Sequence, residues 1–271
     1  MQLAFDHLVH FVNRPEQAIV ELRKVGLIAS PGGQHEKWGS YNALCYFDLS
    51  YVEFLGLNSY EIASQVTDND LIRQAVNALP SREGFARLAL RTDCIDDAAE
   101  RMRKLGLEVT GPFPGSRKRQ DGTTVSWSMF FMKDKEPGLP LPFVIQWEQS
   151  DEERRRDLKE RQVIQPHPIG AVTVRELAIA VRELEPAVDK WSRITDLHPG
   201  DVYEDEVLQA KCRKLSLPGG ELVFCAPVGT GTVSERLNAA GEGPFLLRLS
   251  APTAGKTLSL AGGLYQLIKV D

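Results

Sequence analysis

The sequence predicts a mixed α+β protein built from tandem strand-helix-strand-strand-strand modules. Three observations carry that expectation: a pattern that repeats along the chain, apolar segments that switch between strand and helix period, and a length of 271 residues. That length exceeds what one core usually serves and suggests two domains of about 100 to 150 residues each. The boundaries expected are 1–148 for a first pair of modules, 149–170 for a charged helical linker, and 171–271 for a second, shortened pair.

The first unit opens with LAFDHLVHFV, a strand, followed by the helix NRPEQAIVELRKVGL, with Asn13 as candidate N-cap and Pro15 in the first turn. Ala18, Leu22 and Val25 recur at helical spacing and Gly26 ends the helix. Shifted by 80 residues, FARLALRTDCIDDAAERMRKLGL repeats the pattern, with Gly106 in the place of Gly26. Shifted by 169, VRELAIAVRELEPAVDKWSRITDL repeats it again.

Strand-like runs follow each helix. They are YNALCYFDL and YVEFLGL in the first unit, and TTVSWSMFFMKD and LPFVIQW in the second, after the turn-rich stretch GPFPGSRKRQDG. In the third, VLQAKCRKLSL and ELVFCAP are joined at Pro218-Gly219-Gly220, a hairpin signal. A fourth unit is degenerate: VSERLNAAGEGPFLLRLSA matches IRQAVNALPSREGFARLAL in layout, but only GLYQLIKV follows it. Between the halves, SDEERRRDLKERQVIQPHPIG places opposite charges four apart at Glu152 and Arg156 and at Asp157 and Arg161, the spacing of a solvated connector helix.

Composition narrows the function classes. Acidic residues outnumber basic ones 37 to 32, and the compact basic run Arg117-Lys118-Arg119 is too short for a polyanion track, so no nucleic-acid partner is expected. MQLAFDHLVHFV lacks a basic leader and cleavage site, and no apolar run reaches membrane-spanning length, so neither export nor membrane insertion is expected. Cys45, Cys94, Cys212 and Cys225 are scattered and form no CxxC pair, which reads as reduced core or near-core thiols in a cytoplasmic protein. No GxSxG, Walker, GxGxxG or HExxH pattern occurs, so no nucleotide cofactor and no Ser-His-Asp chemistry are expected.

The runs FDHLVHFV, GGQHEKWGSYNALCYF, SYVEFLGL, PGSRKR and PFVIQWEQSDEERR resemble the glyoxalase-like domain group of the vicinal-oxygen-chelate superfamily. The resemblance is close over residues 3 to 165 and rests on module pattern beyond them. It implies that two modules pair into a cupped sheet whose inward side chains on first and fourth strands hold one divalent metal (Mg, Mn, Fe or Zn). Carried over residue by residue, His7 takes the first-strand ligand place and Glu53 the fourth-strand place. The second module departs from the pattern, with Arg87 at the counterpart of His7 and Gln146 near that of Glu53, its register open by one.

Arginine offers only donors and ligates no metal. Two readings therefore stay open: a loosely held metal on His7 and Glu53 with a neutral amide and waters, or Arg87 in place of the metal, facing Glu53 or a substrate carboxylate.

Other candidates come from residue chemistry. Glu53 lies in a very apolar strand, where an ionised carboxylate is expensive unless paired. His7 and His10, three apart on a strand, face opposite sides, and His10 reads as structural. Gly32 to Tyr46 supplies glycines with Trp38, Tyr41 and Asn42, which reads equally as pocket lining or as a module-joining loop. Arg117, Lys118 and Arg119 read as solvated loop or as an anion clamp, and Trp127 and Trp147 as core or as pocket walls.

The expectation is an enzyme on a small oxygenated anionic metabolite, with Glu53 and His7 catalytic. Lyase, isomerase and dioxygenase outcomes stay open. The alternatives are a sequestering small-molecule binder, or an interaction module that docks a partner or forms a homodimer through the shortened half.

Overall fold

The computed structural model describes residues 2–119, 122–135, 138–252 and 255–269. The first module is β1 (Ala4–Phe11), α1 (Pro15–Lys24), β2 (Ser30–His35), β3 (Ser40–Phe47) and β4 (Ser50–Leu57). After α2 (Tyr60–Ser64) and α3 (Asp70–Ala78), the second is β5 (Gly84–Arg91), α4 (Ile95–Lys104), β6 (Glu108–Lys118), β7 (Thr124–Lys133) and β8 (Phe143–Trp147). Gly26 and Gly106, both at φ +86°, follow α1 and α4, a backbone conformation that favours glycine.

These eight strands do more than cup. They close into a barrel in the order β1-β4-β3-β2-β6-β7-β8-β5. One seam, β1 against β5, is a long antiparallel ladder; the other, β2 against β6, rests on the single pair Gln34 and Lys118.

Both strands of that weak seam correct the sequence reading. Pro31-Gly32-Gly33 lies within β2, and PFPGSRK belongs to the eleven-residue β6. Glycine is needed where β2 meets its neighbours: a Cβ on Gly32 would lie 2.0 Å from Asn42 Oδ1, and one on Gly33 would lie 2.4 Å from the Lys118 carbonyl oxygen. Arg14, not Asn13, occupies the N-cap of α1 and makes no side-chain cap; the Asn13 amide donates to the Pro80 carbonyl instead.

The second half contains β9 (Thr173–Ala180), α6 (Leu184–Thr195), β10 (Tyr203–Asp205), β11 (Ala210–Leu217) and β12 (Gly220–Pro227). Then come α7 (Thr232–Ala240), β13 (Gly243–Ala251), β14 (Lys256–Leu260) and β15 (Gly263–Lys269). Among the described residues no helix separates β13 from β14, which is the degeneracy of the fourth module. The seven strands form a second sheet, ordered β10-β11-β12-β9-β13-β15-β14.

The modules share a backbone irregularity as well as an order. In the β1–β5 ladder, Asp6 is an extra residue between the pairs Phe5↔Leu90 and His7↔Ala89, and Ala86 is its counterpart 80 residues on. In the β9–β13 ladder the extra residues are Arg175 and Phe245. A bulge at one place in four first strands re-aims the side chains beside it.

The outer face of the barrel, α1, α4, α6 and the second sheet share one apolar core that includes Phe5, Leu8, Leu22, Met102, Trp191, Phe224 and Leu249. His10 stands at this junction: Tyr265 lies 2.6 Å from its Nδ1, and its Nε2 donates to the Ala261 carbonyl at 2.9 Å. A buried neutral imidazole needs one donor and one acceptor, and these two contacts supply them.

The helix α5 (Asp151–Glu160) has a full capping box from Ser150 and Glu153, and the expected Asp157–Arg161 pair forms at 2.7 Å. It is less solvated than its charge suggests. Arg154 is buried, and Leu158 packs with Leu44, Tyr46, Leu49 and Tyr51 at one end of the barrel. Cys45, Cys212 and Cys225 are buried, but Cys94 is exposed, against the expectation of a core or near-core thiol. Among the described residues no helix is long and apolar enough to cross a membrane.

Candidate functional site in the barrel

The barrel interior holds a pocket lined by His7, His35, Trp38, Asn42, Tyr51, Glu53, Arg117, Trp127, Phe143 and Trp147, with Asn69, the N-cap of α3, and Leu71 and Ile72 from its first turn. Strand alternation explains the convergence. His7 faces Tyr51 across β1–β4, Glu53 sits two residues further on the same face of β4, and Asn42 enters from β3 opposite Leu55.

The polar groups form one chain. His7 Nδ1 donates to Asp6 Oδ1 at 2.6 Å, and His7 Nε2 lies 3.4 Å from Glu53 Oε2. Glu53 Oε1 accepts from Asn42 Nδ2 at 2.5 Å, while Asn42 Oδ1 accepts from Gly33 N–H at 3.1 Å and from Arg117 Nη1 at 3.3 Å. Those two donors fix the amide orientation, so its NH₂ must face the carboxylate. At the other end, Asp6 Oδ2 accepts from Trp147 Nε1 at 2.9 Å and from Arg154 Nη1 at 3.2 Å, with the Arg154 guanidinium 4.1 Å from the Trp147 ring centroid.

These contacts set the charges. Burial alone would raise the Asp6 carboxyl, but Arg154, His7 and Arg91 outweigh it and hold it down at about 2. Burial likewise opposes charge on Glu53, yet His7, then His35 and Asn42, hold it at about 2. His7 is raised above its ordinary value because Asp6 and Glu53 together outweigh its burial. His35 goes the other way: burial, with Arg117 assisting, brings it to about 4. At neutral pH, Asp6 and Glu53 are therefore ionised and His35 is neutral, while the upward shift of His7 favours its protonated form. Arg117 is 9% exposed and has no carboxylate partner among the described residues.

The structure separates the remaining candidates. Trp38, Asn42, Arg117 and Trp127 line the cavity with His7 and Glu53. Tyr41 lies outside it, donating to Glu16 at 3.1 Å. Lys118 points to solvent, and Arg119 pairs with Asp157 at 2.7 Å. Gln146 lies on the outer surface, where its Oε1 accepts from Ile95 N–H at 2.8 Å at the start of α4. Arg87 does not face Glu53: it pairs with Asp70 at 3.2 Å and lies over the Phe131 ring. Sequence reasoning missed Asp6, Tyr51, Asn69, Phe143 and Arg154.

The pair His7↔Ala89 becomes Arg87↔Val9 when residues 80 apart are exchanged, so Arg87 is the symmetry counterpart of His7. The same rule identifies the counterpart of Glu53. Val9 pairs with Glu53 and Ala89 pairs with Phe143, so the register places Phe143, not Gln146, at the fourth-strand position.

A metal held by four such positions would thus meet His7, Glu53, a cation and a phenyl ring. Arginine and phenylalanine offer no metal ligand at the two second-module positions, and the described residues offer no group of three or more His, Cys, Asp or Glu able to hold a metal ion. This donor set does not fit the metal centre that the resemblance implies. In the second half the four positions are Glu176, Val223, Leu246 and Gln266, and Arg248 ties up Glu176 and Gln266 along with Asp205.

Tandem βαβββ modules paired about a twofold, with a pocket inside the paired sheet, define the vicinal-oxygen-chelate fold. The chain belongs to the glyoxalase-like domain family, whose model matches residues 5–195. Among solved structures, a hypothetical protein from Staphylococcus aureus is 19% identical, with TM-score 0.79, covering 99% of this chain and 100% of that one. A triple mutant of 4-hydroxymandelate synthase from Streptomyces coelicolor is 12% identical, with TM-score 0.59, covering 94% and 72%. Streptomyces coelicolor methylmalonyl-CoA epimerase is 16% identical, with TM-score 0.39, covering 55% and 100%. No curated protein matches the chain.

Proposed function

We propose that the barrel is an acid–base site for a small oxygenated anion, with Arg117 holding the anionic group and the His7–Glu53 pair moving a proton. The observation that carries this is the buried, carboxylate-free Arg117 lining the same cavity as the His7–Glu53 pair. A buried guanidinium without a counter-ion is costly, and a ligand carboxylate or phosphate relieves that cost. Trp38 Nε1 and Arg117 Nε are buried without a partner among the described residues, two further donors that suit ligand oxygens.

The chemistry follows from the proton inventory. The upward shift of His7 favours the form protonated on Nε2, which can donate to an oxygen developing negative charge, and Glu53 is the neighbouring carboxylate that can accept a proton from the substrate. When substrate oxygen takes over the His7 contact, Glu53 loses the partner that depresses it and becomes a stronger base. A proton alpha to a carbonyl would pass to Glu53 while His7 stabilises the resulting enolate oxygen. Asp6, fixed by Arg154 and Trp147, keeps the imidazole aimed.

Small 2-oxo and 2-hydroxy acids incubated in deuterium oxide test this by NMR. The expected result is exchange at the carbon next to the carbonyl, C3 of the oxo acids and C2 of the hydroxy acids, that is lost in Glu53→Gln while binding persists. Binding without exchange in the native protein would favour a sequestering binder, a reading supported by the aromatic walls Trp38, Tyr51, Trp127, Phe143 and Trp147.

A further inference from the structure

A second cavity adjoins the barrel. An open crevice of about 430 Å³ runs between α5 and the strands β6 and β7, and Arg117 and Trp147 line both spaces. Its charged walls are Arg117, Arg119, Arg154 and Arg156 against Glu148 and Glu153. Glu153 is engaged in the capping box with Ser150, Arg154 is paired with Asp6 and Arg119 with Asp157, which leaves Arg117 and Arg156 as the guanidiniums of the wall with no carboxylate partner among the described residues.

Two of those guanidiniums are built in. Arg117 and Arg154 are 9% and 4% exposed, and Arg117 Nε and Arg154 Nη2 are buried with no hydrogen-bond partner among the described residues. Such donors are expensive to leave unpaired, and two of them flanking one opening mark a place for acceptor oxygens. Ser126 and Thr124 add hydroxyls on the β7 side.

We propose that the ligand is elongated: its apolar or flat head lies in the barrel, and an anionic tail, phosphate or carboxylate, passes Arg117 and Trp147 into this crevice. The proposal rests on the barrel being the ligand site and adds the second compartment. Arg117 then serves as a hinge point between head and tail. Arg119 and Arg156, nearer solvent, hold the outer oxygens, and Lys118, absent from the crevice wall, takes no part.

Calorimetric titration with 1-naphthol, 1-naphthylacetate and 1-naphthyl phosphate tests it, since all three share a flat head. Naphthyl phosphate is expected to bind at least tenfold tighter than naphthol and to compete with it. In Arg119→Ser/Arg156→Ser that preference falls below threefold with naphthol affinity unchanged, which also shows the variant is folded; Lys118→Ser keeps the full preference. A gain for naphthylacetate as well as the phosphate supports a general anion subsite, and a gain for phosphate alone supports a phosphate subsite. Naphthol binding with no anion preference, or a preference that survives the double substitution, overturns the crevice and leaves the barrel reading standing. If none of the three binds, both fall.

Discussion

Arg87 stands where the approximate twofold between β1 and β5 places the equivalent of His7, and it is paired with Asp70 rather than with anything in the cavity. The barrel is therefore symmetric in backbone and asymmetric in chemistry. One half supplies His7 and Glu53, while the other supplies a cation that faces away and Phe143, whose ring centroid lies 5.4 Å from that of His7.

Restoring the missing donors checks that correspondence. Arg87→His with Phe143→Glu is expected to bind Zn²⁺ or Mn²⁺ at one equivalent, at least tenfold tighter than the native chain, read by calorimetry. Equal affinity in the two proteins would show that the register argument has chosen the wrong positions.

Asp6→Asn removes the carboxylate that both His7 and Arg154 depend on. Breaking a buried charge pair typically costs about 3–5 kcal/mol, and a loss of that size in urea unfolding is expected here. The His7 titration, followed by NMR, is expected to move down because one of its two carboxylates is gone. An unchanged His7 titration would mean that Glu53 alone sets it.

Acid destabilises the fold through two histidines. Burial depresses His10 and His35 from 6.5 to about 4, so their contribution is fully present above about pH 6.5. Below that value the unfolded chain takes up protons the native state refuses, and stability falls until about pH 4. A shift of that size corresponds to about 3 kcal/mol per group. His7, raised in the fold, contributes with the opposite sign: its share is complete below 6.5 and is lost as pH rises through its folded value. Unfolding midpoints at pH 7 and pH 4.5 should therefore differ less in His35→Asn than in the native protein.

Gly33→Ala attacks the weak seam. The added Cβ would sit 2.4 Å from the Lys118 carbonyl, at the one residue pair that joins β2 to β6. A cost of about 1–3 kcal/mol is expected for forcing such a contact apart. Faster amide exchange in β6 than in β5 would place the opening at this seam, whereas uniform exchange would contradict it.

The module plan was legible because strand and helix periods repeat at offsets of 80 and 169 residues. Elements that lack their own local signal were not. Pro31-Gly32-Gly33 contains no strand-forming side chain, and β2 exists because glycine lets Asn42 and Arg117 cross beside it. Of the site, His7, Glu53, Trp38, Asn42, Arg117 and Trp127 were named in advance and do line the cavity. Asp6 escaped notice because strict alternation points it away from His7; the bulge at Asp6 breaks that alternation and brings the carboxylate round. Arg154 was hidden in a run of charges that reads as solvent-facing, and Gln146 was misplaced because counting along the sequence does not reveal the β5–β8 register.

The contact between His10 and Tyr265 joins residues 255 positions apart. At roughly 5–20 residues per second, a ribosome that has made His10 needs on the order of 10–50 seconds to reach Tyr265. Phe5 meets the second sheet somewhat earlier, when Pro218 and Gly220 are made. The outer face of β1 is thus synthesised long before the strands that cover it.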